Sequence, residues 1–498
     1  MSEAPLWLQD PPPKLKLDQF KLPLFPFQNA GAIFLAQNPN CILRDSTGLG
    51  KCPQSLASFN ALVRKQPQLK CIIICPASLI HQWSDEIKKF TTFKSVIYRG
   101  SKRVRELVMK EFIRDNEIQC LVTNYEIVRR DIDNFLDLHR HFPYIVIYDE
   151  AQKIKNHRSQ TAKALKLLSM RAKGNKLLTA TPVFNNVIDL YGLFKIIDPS
   201  VFGSYVNFMN NFTHYYTMDM GSYQVPVYQG PKNIPLLKDK IKSYVFGREK
   251  KDVYSQLPAL TFSDRLVSLP SHHQDIYDAL EKEKLIVNEN EIRDIDRLAA
   301  LTHMQRCTDA VEHLNLTVSA SHPKIDQCIE ILEEEFDDDK IIVYSKFTST
   351  IDILNQELEK KNIPHFTIDG RMNTEQRDAN KKAWENSPGK AVLAISSAGG
   401  AGLNLQAAGT IIFLNHPWSY GEFMQVCGRI HRIGTKHEKL LIINIYCEGT
   451  IDEEIRDALK SKEAVFNRLF IEGGDQLVNG DLGKDIWEKA RARATRNL

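Results

Sequence analysis

The sequence predicts an α/β protein: two doubly wound parallel-sheet lobes with helical insertions and a C-terminal helical brace. Three observations predict it. Short apolar runs alternate with amphipathic stretches from Phe27 to about residue 200. The same alternation resumes near residue 324 and continues to 447. In both blocks the polar and glycine-bearing segments fall just after an apolar run, at the carboxyl ends of the expected strands, where such sheets gather ligands.

In the first block strands are expected at 41–43, 71–75, 119–123, 144–148 and 176–179, each followed by a helical pattern. From 200 to 320 the chain is first rich in Tyr, Phe and Asn, then helical from Ser271 to Val311, with a linker around Leu257-Pro258-Ala259. The second block carries strands at 340–344, 365–368, 391–395, 411–414 and 440–446. Helical periodicity from Asp452 to about Phe470 gives the brace, and the end after Gly473-Gly474 is polar. The expected division is 1–19 extension, 20–200 first lobe, 201–257 helical insertion, 258–323 linker and second insertion, 324–450 second lobe, and 451–498 brace and tail.

Bulk properties narrow the function. At 498 residues the chain exceeds one ordinary core, and two to four units are expected. Hydrophobic and charged fractions of 43% and 25% are those of a soluble globular protein. A net charge of only +4 means that any nucleic-acid contact must come from a local groove. Nine cysteines without a C-x-x-C pair read as reduced core residues, and a zinc site is not expected. Residues 1–13 lack a secretory pattern, and no apolar run reaches the length of a membrane span. The expectation is a soluble, intracellular protein: cytoplasmic in a microbe or virus, nuclear in a eukaryote.

Two distant segments make sense as one phosphate site. Asp45-Ser46-Thr47-Gly48-Leu49-Gly50-Lys51 follows a strand and precedes a helix with Pro53 in its first turn. Small residues let backbone N–H groups approach an anion, and Lys51 meets the outer phosphates. Near the other end, Gln425-Val426-Cys427-Gly428-Arg429-Ile430-His431-Arg432 places two arginines three apart, expected on a helix and pointing one way. Asp149 and Glu150 end an apolar strand: one carboxylate to hold magnesium, the other to orient or deprotonate water. A helix N-cap pair is the alternative. Leu178-Thr179-Ala180-Thr181-Pro182 offers hydroxyls after a strand. The glycine-rich Gly399-Gly400-Ala401-Gly402 reads either as a phosphate approach or as a tight structural turn.

These segments resemble the Swi/Snf branch of superfamily-two helicase-like ATPases, over about residues 20 to 470. Phe25-Pro26-Phe27-Gln28 resembles the family's adenine-sensing glutamine motif, and Asp45–Lys51 its D-x-x-G-x-G-K loop. Cys75-Pro76-Ala77-Ser78-Leu79-Ile80 with Gln82 and Trp83 resembles the motif that lies along a nucleic-acid backbone. Asp149-Glu150-Ala151-Gln152 with Ile154-Lys155-Asn156 resembles D-E-A-H and the following I-K-N, and Leu178–Pro182 with Asn185 the L-T-G-T-P…N segment. Phe246-Gly247-Arg248-Glu249-Lys250 resembles the basic stretch closing the first lobe, and 399–405 and 425–434 the last two motifs.

The resemblance implies RecA-like lobes, ATP and Mg2+ as cofactors, and Lys51, Asp149, Glu150, Arg429 and Arg432 as catalytic residues. It places Gln28, Asp45, Ser46, Thr47, Gly48, Leu49, Gly50, Lys51, Cys52, Gly402 and Gln425 around the nucleotide, with Asp149 and Cys52 at the metal. Ser78, Trp83, Lys155, Asn156, His157, Arg158, Lys346 and Arg371 become candidate contacts to duplex DNA. For the basic residues a solvated surface charge is the alternative, and for Trp83 and Trp418 a place in the core. Three departures stand out: Gln152 for histidine, Thr435 for glutamine, and Cys52 for a magnesium-binding hydroxyl, a soft thiol that should weaken metal affinity.

The favoured reading is an ATP-dependent double-stranded DNA translocase that tracks the backbone and remodels DNA or protein–DNA complexes. The alternatives are a helicase or annealing enzyme acting on forks, R-loops or RNA–DNA hybrids, and a motor impaired at Cys52. No chromatin-reading module is recognised, which argues against a large nucleosome-sliding complex and for a small microbial or viral protein, or one recruited by a protein partner; a monomer without a membrane partner is expected.

Overall fold

The computed structural model describes residues 12–183, 186–219, 224–253, 258–288, 291–311, 322–397, 403–432 and 435–470. The chain divides into one compact unit over Met1–Ser255, rejoined at Ala464–Gly483, and another over Gln256–Glu463 with Lys484–Leu498.

In the first unit the strands are β1 (Asn40–Leu43), β2 (Lys70–Cys75), β3 (Lys94–Ile97), β4 (Ile118–Asn124), β5 (Tyr144–Asp149), β6 (Gly174–Leu178), β7 (Thr213–Asp219), β8 (Gln224–Pro231) and β9 (Val245–Phe246). Seven of them form one parallel sheet in the order β3-β4-β2-β5-β6-β1-β9. Its central strands β2 and β5 carry near-continuous apolar runs because both faces are covered. Alternate residues divide between two cores: Ile72, Ile74, Tyr144, Val146 and Tyr148 enter one, and Cys71, Ile73, Cys75, Ile145 and Ile147 the other. The second core is closed by helix Ile80–Phe90 through Ile80, Trp83 and Ile87, spaced as one helical stripe. Leu469, in the last turn of the C-terminal helix Ile451–Phe470, packs into the first core.

The remaining pair, β7 and β8, is an antiparallel hairpin between helices Tyr205–Phe212 and Ile234–Ile241. The aromatic run that marks this insertion in the sequence is thus divided: Tyr205, Phe208 and Phe212 lie on the first helix, whereas Tyr215, Tyr216 and Tyr228 lie on strands, which aromatic residues favour.

In the second unit the strands are β10 (Leu260–Val267), β11 (Lys284–Asn288), β12 (Glu291–Asp294), β13 (Lys340–Ser345), β14 (His365–Ile368), β15 (Ala391–Ser396), β16 (Thr410–Phe413) and β17 (Leu440–Cys447). Six form a parallel sheet in the order β10-β17-β16-β13-β15-β14. Helices Pro323–Glu334 and Thr348–Lys360 cover one face through Ile325, Leu332, Ile351 and Leu354.

The stretch 271–311 is not helical throughout: the β11–β12 hairpin separates helices Ser271–Glu281 and Arg297–Cys307. Lys324, on helix Pro323–Glu334, is fully buried 2.7 Å from Asp309 and 3.0 Å from Asp452, which ties the end of this region to that helix and to the start of helix Ile451–Phe470. Among the described residues no helix is long and apolar enough to cross a membrane.

Candidate nucleotide site

Chain order and sheet order together assemble the site in the first unit. The loop Asp45–Lys51 leaves β1, the Thr179–Thr181 segment leaves β6 beside it, and Asp149 ends β5 on the far side of β6. Three carboxyl ends of adjacent strands therefore meet at one edge.

Gly48 and Gly50 adopt φ of 89° and 77°, which turns the loop into helix Lys51–Lys65 at little steric cost. No side chain caps that helix. Lys51 Nζ donates to the Asp45 carbonyl at 2.8 Å.

The Asp45 carboxylate is fully buried and faces the protein. It accepts from the Arg248 backbone N–H (3.0 Å), Arg248 Nε (3.1 Å), Arg248 Nη2 (2.6 Å) and Gln54 Nε2 (2.8 Å). Its role is to hold the loop in shape. Ser46 Oγ donates to Glu249 at 2.6 Å, and Glu249 also pairs with Arg44 at 2.6 Å. Thr47 is half-buried, whereas Leu49 is buried and its carbonyl accepts from Gln28 Nε2 at 3.3 Å. Gln28 Oε1 accepts from the Phe25 N–H, so this side chain ties helix Pro26–Gln37 to the loop.

Asp149 continues the parity of Ile145 and Ile147, which turns it toward the core closed by Trp83. Its side chain is almost buried: Oδ2 accepts from Trp83 Nε1 at 2.8 Å and Oδ1 from the Glu150 N–H at 3.0 Å. Tyr125 Oη donates to its carbonyl at 2.6 Å. Burial, and then the neighbouring charge of Glu150, lifts the Asp149 carboxyl to about 7. Glu150 holds φ 51°, a left-handed conformation uncommon for a residue with a side chain and a mark of constraint at a functional turn.

Gln152, which stands where the resemblance expects histidine, links two motifs. Its Nε2 donates to Glu150 Oε2 at 2.6 Å, and its Oε1 accepts from Thr179 Oγ1 at 2.8 Å. Thr179 Oγ1 in turn accepts from the Thr181 N–H at 3.1 Å. The Thr181 hydroxyl is buried without a partner among the described residues. Glutamine thus supplies both the donor and the acceptor that this relay needs.

Magnesium fits Asp149 and does not fit Cys52. Each Asp149 oxygen carries one protein donor and keeps a lone pair of the hard type that the ion takes. Burial, reinforced by Asp149 and Glu86, pushes the Cys52 thiol well above its ordinary value, so it stays neutral. A neutral thiol is a poor partner for a hard cation.

Trp83 is corrected from nucleic-acid contact to core. It is 1% exposed and its one polar atom is committed to Asp149, as a buried indole N–H requires. Ser78 is exposed on the short 3-10 turn Ala77–Leu79 before that helix. Lys155 is half-buried: its carbonyl lies 1.9 Å from where a Cβ on Gly192 would be, so the 154–158 turn packs against helix Ile188–Ile197 as only glycine permits. Asn156 accepts from the Arg158 N–H at 3.0 Å. His157 lies between Tyr191 (4.9 Å) and Tyr205 (4.8 Å), and the Arg158 guanidinium sits 5.1 Å over Tyr205.

In the second unit helix Tyr420–Cys427 stops before both arginines. Gly428 ends it, so Arg429 and Arg432 lie on the following turns and not on the helix that their spacing predicts. Arg429 is buried, its Nε and Nη1 have no partner among the described residues, and burial lowers its guanidinium to about 10. Arg432 donates to the carbonyls of Gly428 (3.0 Å) and Leu403 (3.2 Å). Gln425 is half-buried on the helix. Gly402 lies outside the described residues, as do Asn185, Leu257, Gly434 and 471–498.

Lys346 donates to Gln305 at 2.9 Å, and Arg371 sits between Asp352 (2.7 Å) and Asp369 (2.5 Å).

Arg248, Tyr125 and the Gln152–Thr179 link carry no role in the sequence reading. A basic stretch beside Leu257-Pro258 was the only signal for the first.

The SNF2-related domain matches residues 27–316 and the helicase conserved C-terminal domain residues 323–434. The chain belongs to the SNF2-related family. An uncharacterised ATP-dependent helicase of Mycoplasma pneumoniae is 29% identical over 443 residues, covering 86% of this chain and 40% of that protein. A chromodomain-helicase-DNA-binding protein 1-like of Mus musculus is 27% identical over 459 residues, covering 89% and 49%. This SNF2-related chain therefore spans about half or less of the length of these relatives. Among solved structures, a Sulfolobus solfataricus SWI2/SNF2 ATPase core in complex with dsDNA aligns over 96% of this chain and 98% of that one, at 24% identity and a TM-score of 0.44.

Proposed function

We propose that this chain is an ATP-dependent double-stranded DNA translocase. The observation that carries the reading is the meeting of Lys51, Asp149, Glu150 and the Gln152–Thr179 link at adjacent strand ends. A phosphate loop beside a constrained carboxylate pair is the chemistry of nucleoside-triphosphate hydrolysis.

The Lys51 ammonium, whose partner here is the Asp45 carbonyl, exchanges it for the outer phosphates of ATP. Glu150 takes the proton of the attacking water, its carboxylate oriented by Gln152. Asp149 would hold magnesium, which when bound would supply positive charge against the phosphates. The family resemblance assigns Arg429 and Arg432 to the transferred phosphoryl group. In support, Arg429 keeps two buried donors without partners among the described residues. The exposed Ser78, Asn156 and Arg158 are the first unit's proposed contacts to the DNA backbone, which sequence-blind tracking uses.

ATP turnover with and without duplex DNA, single-stranded DNA and RNA tests this reading, with displacement of a triplex-forming strand to separate translocation from unwinding. The neutral Cys52 thiol favours a second reading, a motor of low turnover limited by its hold on magnesium. Restoration of activity by Cys52→Thr would favour it.

A further inference from the structure

We infer that Trp83 is a positioning residue that fixes the Asp149 carboxylate for the metal; the inference rests on the nucleotide-site reading above. Helix Ile80–Phe90 buries Ile80, Trp83 and Ile87 against the sheet face on which β5 ends. Strand parity turns Asp149 onto that same face, and the two side chains meet at 2.8 Å.

Trp83 is more than filler. Phenylalanine would fill most of this space, whereas only the indole provides an N–H, and that N–H goes to one carboxylate oxygen. The second oxygen takes the Glu150 N–H at 3.0 Å. One donor on each oxygen stops rotation about the Cβ–Cγ bond and sets the remaining lone pairs in one direction. With the Trp83 donor gone, Oδ2 has no protein donor among the described residues, and the carboxylate swings about its one remaining anchor. A metal held from a single carboxylate is sensitive to such motion, because outer partners fix the orientation of its ligand.

The test uses the whole chain, with Mn2+ standing in for magnesium. Binding of Mn2+ in the presence of ADP is followed by electron paramagnetic resonance, and binding of fluorescent ADP is measured in EDTA. Trp83→Phe is expected to weaken Mn2+ binding about tenfold, the effect of losing one hydrogen bond to a charged group. Metal-free ADP affinity is expected to stay within about twofold.

Ile87→Val, a packing change in the same core, moves neither. Should Trp83→Phe fail to fold, Trp83→benzothienylalanine removes the N–H from a ring of the same shape and answers the same question. Equal Mn2+ affinity in wild type and variant overturns the inference alone. A wild type that binds no ADP overturns the nucleotide-site reading and the inference with it.

Discussion

Arg248 grips Asp45 across 203 residues of sequence, with Nη2 at 2.6 Å from Oδ2 and Nε at 3.1 Å from Oδ1. The contact fixes the root of the phosphate loop from β9, which pairs with β1 in parallel. The Arg248 guanidinium also lies 4.8 Å from the Phe246 ring centre and 5.4 Å from that of Phe27. One side chain thus joins helix Pro26–Gln37, the phosphate loop and β9.

Removing one member of a buried ion pair leaves the other charge without compensation. Arg248→Ala should lower unfolding free energy in urea by about 3–5 kcal/mol. Arg248→Lys should retain part of that, since a point charge cannot reproduce the two-pronged geometry. A loss under 1 kcal/mol in Arg248→Ala would show that the clasp does not hold the loop.

Gln152 should matter to turnover and not to nucleotide affinity. Gln152→Ala frees Glu150 and Thr179 from each other, and kcat should fall about tenfold or more, as expected when a positioned base is loosened. Fluorescent ADP titration should show affinity within about twofold of wild type. An equal loss in both would make the residue a part of general packing.

The raised Asp149 carboxyl has a consequence for stability. Its pKa is about 7 in the folded state against 3.8 ordinarily, so between these values the folded chain holds more protons than the unfolded one. Stability then falls as pH rises through this window, by up to about 1.4 kcal/mol per pH unit. Asp149→Asn should therefore gain stability over wild type as pH climbs from 4 to 7, and lose that advantage at pH 4. Thermal melts across the range measure it, and a difference independent of pH would refute the assignment.

At Cys52 the expected change is in metal dependence. Cys52→Thr should lower the magnesium concentration for half-maximal ATPase about fivefold or more, a hard donor replacing a neutral thiol. The raised thiol should also resist iodoacetamide at pH 8. Unchanged magnesium dependence would mean that Asp149 and the nucleotide suffice.

The parallel strands were legible because burial on both faces makes them continuous apolar runs, as in Cys71-Ile72-Ile73-Ile74-Cys75. Of the edge strands, β14 was read at 365–368 and three were not: β10 mixes exposed and half-buried residues, β9 has only two residues, and the short β3 has no fully buried residue. Lys51, Asp149 and Glu150 were readable because each follows a strong strand. The place of Trp83 was present in its spacing, since Ile80, Trp83 and Ile87 form a helical stripe, yet motif likeness pointed outward to nucleic acid. The arginines misled because Gly428 ends the helix before either of them. Contacts such as Arg248 to Asp45 depend on strand order, which local pattern does not encode.

The most direct measurement is ATP hydrolysis with and without duplex DNA, in the wild type, Lys51→Ala and Arg429→Ala. The account predicts turnover stimulated by duplex DNA in the wild type and lost in both variants. Turnover that duplex DNA leaves unchanged, or that survives in Lys51→Ala, would contradict it.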